Sequence, residues 1–172
     1  MTPITPPPHR IFLVRHAQAV WPEPTMRDYD RLLSARGEID AEHIARRLAA
    51  AGYRPDLILS SSAMRCRQTA DAAYRALERT PRMQFSDDLY QAAPITYIEM
   101  IEDIDAYEGI MVVGHNPGIE EILLMLTGYE SFNRACPYGY PTAGVAVLDF
   151  TGPTEGKPDD SPQWKLTEFL TP

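Results

Sequence analysis

Cysteine is scarce, long apolar runs are absent, and basic charge is in the minority. Cys66 and Cys136 are the only two cysteines; they lack CxxC spacing, so at most one pairing is open and a disulfide scaffold is not indicated. The arginine that a cysteine phosphatase carries at the sixth place after its nucleophile is missing, since those positions are Ala72 and Thr142. Cys66 lies between Arg65 and Arg67, whose charge favours a thiolate, but on a helix face it reads first as a small buried residue. No apolar stretch approaches the ~18 residues that cross a bilayer, and Pro6-Pro7-Pro8 stands where a secretory peptide needs an apolar region. There is no GxGxxG turn, no P-loop and no HExxH helix, which removes support for dinucleotide, Walker-type and zincin chemistry. With 24 acidic against 16 basic residues the net charge is −8, which opposes nucleic acid and anionic membranes as partners. A few arginines gathered in one pocket can still reverse the potential locally.

What is present suits one globular domain in the cytoplasm. The 172 residues, 44% of them hydrophobic, can bury a core without metals or disulfides. Residues 1–9 read as a disordered leader and 10–172 as a single domain. The first strand is expected over Arg10 to Val14, followed by a loop from Ala17 to Leu33 rich in Pro, Trp and Asp. Ser34 can cap a helix with apolar positions Ile39, Ile44, Leu48 and Ala51, ended by Gly52. Asp56 to Leu59 forms a second strand. After Ser60-Ser61-Ser62 a helix carries Cys66, Ala70, Ala73, Tyr74 and Leu77 on one face.

A weak third strand falls near Met83 to Phe85, and Pro94 opens an acidic helix to about Tyr107, whose charges read as a solvated face. Ile110 to Val113 is the strongest strand. Asn116-Pro117 supplies a capping residue and a proline for the next helix, which Gly128 stops. Gly144 to Phe150 is an apolar strand, Gly152 to Pro162 a turn or flexible loop, and Trp164 to Phe169 an edge strand. Strands alternating with helices predict a three-layer α/β/α sandwich with a mostly parallel central sheet.

Two of the four histidines each follow a β-branched run. His16 comes after Ile11-Phe12-Leu13-Val14-Arg15, and His115 comes after Ile110-Met111-Val112-Val113-Gly114. Alone, either is a candidate structural histidine. Together, as the first residues past two parallel strands, they fall on one sheet edge, where sites of open α/β folds collect. His9, in the leader, and His43, among charged neighbours on a helix, read as surface residues. Arg15 beside His16 offers a fork of donors for two phosphate oxygens. Arg65 sits in the first turn of the helix after the second strand, where a helix amino end already favours anions. Arg67 lies about 200° round the helix from Arg65 and so should miss the same pocket. These residues leave open which histidine attacks.

Leu13-Val14-Arg15-His16, then Ser60 to Ala70 with Arg65, then Val112-Val113-Gly114-His115-Asn116-Pro117, resemble the motifs of the histidine phosphatase, or phosphoglycerate mutase-like, superfamily. The short length, Asp28 to Ser34 before Gly37, Leu89-Tyr90 and Pro141-Thr142-Ala143-Gly144 resemble its small branch, that of the SixA-type phosphohistidine phosphatases. The similarity runs from Arg10 to Phe150. It implies that His16 is the nucleophile, becoming phosphohistidine, and that Arg15, Arg65 and His115 form the phosphate pocket. It also implies that neither metal nor cofactor is needed. The substrate is then a phosphorylated protein or a small phosphorylated compound. The alternative on the same fold is a catalytically weak phosphate-binding or regulatory module. Mutases of the superfamily usually carry extra closing segments and a glutamate donor, and this chain shows neither.

Two departures from the pattern bear on mechanism. Arg-His-Gly becomes Arg15-His16-Ala17, followed by Gln18 where a carboxylate is common, and the Ala17 methyl is expected to narrow the pocket or tilt the loop. Leu89-Tyr90-Gln91-Ala92 has no acid where larger branches place the proton donor, which favours phosphohistidine or activated phosphates over simple esters. Glu23, Asp28 and Asp30 remain candidates for that proton. Asp28 and Arg31 read as an ion pair or loop anchor before a substrate contact. Trp21 reads either as a cleft rim that stacks on substrate or as a loop anchor, and Asn116 and Thr142 either as phosphate donors or as capping and turn residues.

Overall fold

The structure is a computed structural model that describes residues 4–77, 80–152 and 163–172. Six strands form one sheet: β1 (Arg10–Arg15), β2 (Leu57–Ser61), β3 (Arg82–Ser86), β4 (Gly109–Gly114), β5 (Val145–Phe150) and β6 (Trp164–Leu170), in the order β3-β2-β4-β1-β5-β6. The pairs β1/β4, β2/β4 and β2/β3 are parallel, while β5 runs antiparallel to both β1 and β6. The mostly parallel sandwich expected from the alternation is the fold observed. Interior strands covered on both faces read as continuous apolar runs, and β2 and β4 are buried along their whole length.

The pleat sends alternate side chains into two cores. Phe12, Val14, Ile58, Met111, Val113 and Val145 face one side, beneath α1 (Ala35–Ala50) and α2 (Met64–Ala76). Ile11, Leu13, Leu59, Ile110, Val112 and Leu148 face the other, beneath α3 (Pro94–Glu102) and α4 (Gly118–Ala135). Each fully buried Ile, Leu or Val contributes about 1.5–3 kcal/mol, so these central strands are the stiffest support a site could have.

Several expectations are corrected. Residues 4–9 are placed and not disordered: Ile4 is fully buried, its carbonyl accepts the Trp164 indole N–H at 3.1 Å, and the His9 N–H donates to the Glu108 carbonyl. The helix expected to reach Tyr107 ends at Glu102, because Ile101 is its last buried residue and Glu102, Asp103 and Asp105 are exposed. Asn116 does not cap α4. The cap position is Pro117, without a side-chain hydrogen bond, while the Asn116 amide donates to Glu120. Gly128 (φ 77°) breaks the helical geometry as expected, yet the chain resumes a helix to Ala135. Ser34 caps α1 by accepting from the Gly37 N–H, and Gly52 (φ 81°) follows its end. The loop expected over 152–162 lies almost wholly outside the described residues. Among the described residues no helix is long and apolar enough to cross a membrane.

Candidate active site

Register brings the two histidines together. In the parallel pairing of β1 with β4, Arg15 stands opposite Gly114, and the His16 N–H donates to the Gly114 carbonyl at 3.0 Å. The residues that follow, His16 and His115, therefore leave the same edge of the sheet, with ring centroids 5.2 Å apart and planes at 64°. Gly114 is required here: a Cβ would meet the Tyr97 hydroxyl at 2.5 Å. That hydroxyl accepts the His115 N–H at 3.2 Å and donates to the Leu89 carbonyl at 3.0 Å.

Arg65 is the second residue of α2 and only 5% exposed. Its guanidinium reaches between the rings, Nε donating to His16 Nε2 at 3.2 Å and Nη2 meeting His115 Nδ1 at 3.3 Å. From behind, Asp28 holds it, the carbonyl accepting from Nη1 at 2.6 Å and the carboxylate from Nη2 at 2.9 Å. Asp28 also accepts from Arg31 at 2.8 Å and from the Tyr90 hydroxyl at 2.9 Å. It is the ion pair and loop anchor that the sequence favoured. Partial burial pushes its carboxyl up, but the hydrogen bonds from Arg31 and Tyr90 and the charge of Arg65 outweigh that and hold it at about 2. Asp28 is therefore a fixed carboxylate and not a proton source.

The hydrogen-bond network assigns the tautomers. His16 Nδ1 donates to its neighbour's carbonyl, Ala17 O, at 2.8 Å, which leaves the lone pair on Nε2. His115 has the opposite arrangement. Its Nδ1 accepts from Arg65 and its Nε2 donates to Ser61 Oγ at 2.9 Å. Both rings are neutral. Burial is the largest cause for each, and it takes His16 down to about 3 against the Ala17 carbonyl, helped by the charges of Arg65 and Arg15 and by the repulsion a second charged ring beside His115 would meet. His115 falls to about 4, with Arg65 adding to burial and Asp28 opposing.

A cleft of about 380 Å³ opens over His16, lined by Arg15, Trp21, Arg31, Arg65 and Thr142 among others. His115, expected in the phosphate pocket, is 5% exposed, does not line this cleft and is linked to it through Arg65. Arg15 donates from Nη1 to the Tyr140 carbonyl, while its buried Nε has no partner. An unpaired buried donor costs about 1–3 kcal/mol, a deficit an anion in the cleft would remove. Among the described residues no carboxylate lines the cleft. Glu23 is exposed, and Asp30 pairs with Arg27 at 2.6 Å. Trp21 stands at the rim, 89% exposed. Among the described residues no group of three His, Cys, Asp or Glu could hold a metal ion.

One sequence expectation changes, and the reading of Cys66 as a small buried residue holds. The Ala17 methyl does not narrow the pocket: Ala17 is fully buried in the core under α1 and α2, and its N–H donates to Thr69 Oγ1 at 3.0 Å. Cys66 is no reactive thiolate, because burial pushes its thiol up to about 12 against the charge of Arg65. Arg67 points elsewhere, as its position on the helix required, with Nε on the Ser62 carbonyl and its guanidinium 4.3 Å from the Phe85 ring centre. Ser61, Tyr90, Tyr97 and Tyr140 had no place in the sequence argument as side chains that brace the site. The one available signal was Gly114, a glycine before a strand-end histidine, which marks a close approach.

Comparison with known proteins agrees with this geometry. A model of the histidine phosphatase superfamily (branch 1) matches residues 11–91. A crystal structure assigned as the phosphohistidine phosphatase SixA of Agrobacterium tumefaciens superposes with a TM-score of 0.86 at 41% identity, covering 96% of this chain and 99% of that one. A chloroplastic protein of Arabidopsis thaliana, itself uncharacterized, is 33% identical over 195 residues, covering 99% of this chain and 81% of its own. The protein histidine phosphatase SixA in complex with tungstate shares the fold, with a TM-score of 0.73 at 17% identity over 94% of this chain and 96% of that one. With two strand-end imidazoles, a helix-start arginine and these relatives in agreement, the chain belongs to the histidine phosphatase superfamily, in its SixA-type branch, and is a phosphatase.

Proposed function

We propose that this phosphatase works without a metal ion through a phosphohistidine on His16, and that its substrate is a protein phosphohistidine or a small phosphorylated compound with a good leaving group. The tautomer of His16 carries the reading. With its proton on Nδ1 and bonded to the Ala17 carbonyl, the ring of His16, which lines the cleft, keeps a lone pair on Nε2 where Arg65 Nε now donates. Arg15 and Arg65 bind the phosphoryl oxygens, Arg65 exchanging its imidazole partners for them. Positive charge and positioning supply most of what phosphoryl transfer needs. Nε2 attacks phosphorus as the bond to the leaving group breaks. The Ala17 carbonyl stabilises the phosphorylated, positively charged ring through Nδ1–H. Water then cleaves the P–N bond and restores neutral His16. His115 holds its Nδ1 lone pair toward Arg65 and keeps that guanidinium aligned.

The leaving group follows from the lining. An alkoxide needs a proton as it departs, and Asp28, the carboxylate on Arg65, is ionised and fully engaged. A phosphoramidate leaves as a neutral amine or imidazole once its own nitrogen is protonated, so P–N substrates suit this cleft better than P–O esters. The setting we propose is the cytoplasm, which agrees with two free, buried cysteines.

The test is a rapid alkaline quench of radiolabelled phosphoramidate, since P–N bonds survive base and not acid. Label is expected on His16, with phosphoramidate and phosphohistidine protein turned over in preference to a phosphomonoester. A folded His16→Ala variant that labels like the wild type would refute the assignment.

A further inference from the structure

Arg15 and His115 enter the site from different strands, yet both lead to one oxygen. Asn116, the residue after His115, donates its side-chain amide to Glu120 Oε2 at 3.1 Å. Arg15 Nη1 donates to the Tyr140 carbonyl, and the Tyr140 N–H donates to the same Glu120 Oε2 at 2.8 Å. Tyr140 is in turn anchored at its ring end. Its ring is buried, and its hydroxyl donates to the Leu13 carbonyl at 2.6 Å and accepts the Ala146 N–H at 2.8 Å, tying it to β1 and β5. Gly139, at φ 86°, turns the chain over the carboxylate, and a Cβ there would sit 3.5 Å from Oε2. Glu120 lies in the first turn of α4, where a carboxylate also suits the helix dipole.

We infer that Glu120 is a positioning residue, whose single oxygen fixes the Tyr140 carbonyl that aims Arg15 and the Asn116 segment that carries His115, and so sets the spacing of the phosphate pocket. The inference rests on the phosphatase reading for the ligand, though not for the geometry. Without that oxygen, the Tyr140 N–H and the Asn116 amide lose a shared acceptor, and the Gly139–Tyr140 peptide, next to the carbonyl that holds Arg15, loses its tie to α4. Glutamine in place of Glu120 still offers an oxygen at the same reach, and alanine offers none.

The experiment measures orthophosphate affinity by calorimetry, and the Arg15 side-chain Nε–H signal by NMR, for Glu120→Gln and Glu120→Ala in the wild-type and Arg15→Ala backgrounds. Glu120→Ala is expected to weaken phosphate about tenfold and to displace the Arg15 signal. Glu120→Gln should restore both to within about threefold and to near the wild-type position. In the Arg15→Ala background, Glu120→Ala should cost clearly less than its tenfold in the wild type, since the part of its effect that passes through Arg15 is already gone and only the Asn116 route remains. An undiminished loss in that background, or a Glu120→Ala protein with an unmoved Arg15 signal, overturns the inference. If Glu120→Ala does not fold, Glu120→Asp withdraws the oxygen by one methylene and carries the same expectations. A wild-type protein that bound no phosphate would count against the phosphatase site, while the Arg15 signal would still decide the role of Glu120.

Discussion

Taking the protein from about pH 8 to about pH 5 should leave His16 and His115 uncharged. An imidazole at its ordinary value near 6.5 is only ~3% neutral at pH 5. A ring held at about 3 is ~99% neutral there, and one held at about 4 is ~90% neutral. The difference at His16 is about thirtyfold in the population able to attack. Burial is the main cause, and the neighbouring guanidinium of Arg65 works in the same direction on both rings. The assay is a ring-proton NMR titration over about pH 3 to 8, with His16→Ala and His115→Ala spectra to assign the two signals. Stability follows the same protons. The unfolded chain binds protons on these rings below about 6.5 while the folded protein does not, so their contribution is complete above that pH and is lost as pH falls toward about 3. Either substitution should flatten that acid loss. A His16 signal that titrates between about 6 and 7 would refute the account of a desolvated nucleophile.

Two further substitutions probe the support and the rim. Gly114→Ala places a methyl 2.5 Å from the Tyr97 hydroxyl, inside a fully buried ring; overpacking of about 1–3 kcal/mol plus a hydrogen bond worth about 1 kcal/mol, about 2–4 kcal/mol together, should lower Tm by roughly 4–16 °C in a chain of this length. Thermal melts followed by circular dichroism check this, and a shift under about 2 °C would show that the Tyr97 strut yields freely. Trp21→Ala should change stability by less than about 0.5 kcal/mol, because its backbone is held independently through Val20, whose N–H reaches the Leu32 carbonyl and whose own carbonyl takes two bonds from Arg31. The same variant should raise KM for a phosphohistidine-bearing protein about three- to tenfold, the size of one lost stacking contact, and leave phosphoramidate kinetics unchanged. Equal losses on both substrates would remove Trp21 from recognition.

How much of the fold could be read in advance depended on where burial forces a pattern. β1 and β4 are covered on both faces, and Ile11 to Val14 and Ile110 to Val113 read as strands for that reason. In the first helix the ends, Ser34 and Gly52, were clearer than the stripe, whereas the end of α3 and the cap of α4 fell elsewhere than expected. In α1 the large Ile39 is 61% exposed, while the small Ala41 and Ala45 are buried against α2, so a count of bulky apolar positions misjudges the face. The burial of Ile4 was illegible because it depends on Trp164, 160 residues away, and on no local signal.

The site was legible to a different depth in its charges and in its protons. Arg15, His16, Arg65 and His115 sit at strand and helix ends whose positions follow from topology, so their convergence could be anticipated. What distinguishes the two imidazoles could not. His16 gives its Nδ1 proton to a carbonyl one residue away, and its Nε2 lone pair is left to accept from Arg65 Nε. His115 gives its Nε2 proton to Ser61, the last residue of β2, and turns its lone pair to the guanidinium of Arg65. That asymmetry arises from two acceptors, one a backbone carbonyl that any residue at position 17 would supply and the other a single serine in a run of three. It also explains why alanine is accommodated where the superfamily pattern has glycine. The carbonyl faces the ring, and the methyl, pointing into the core beneath α1 and α2, adds apolar burial without touching the cleft.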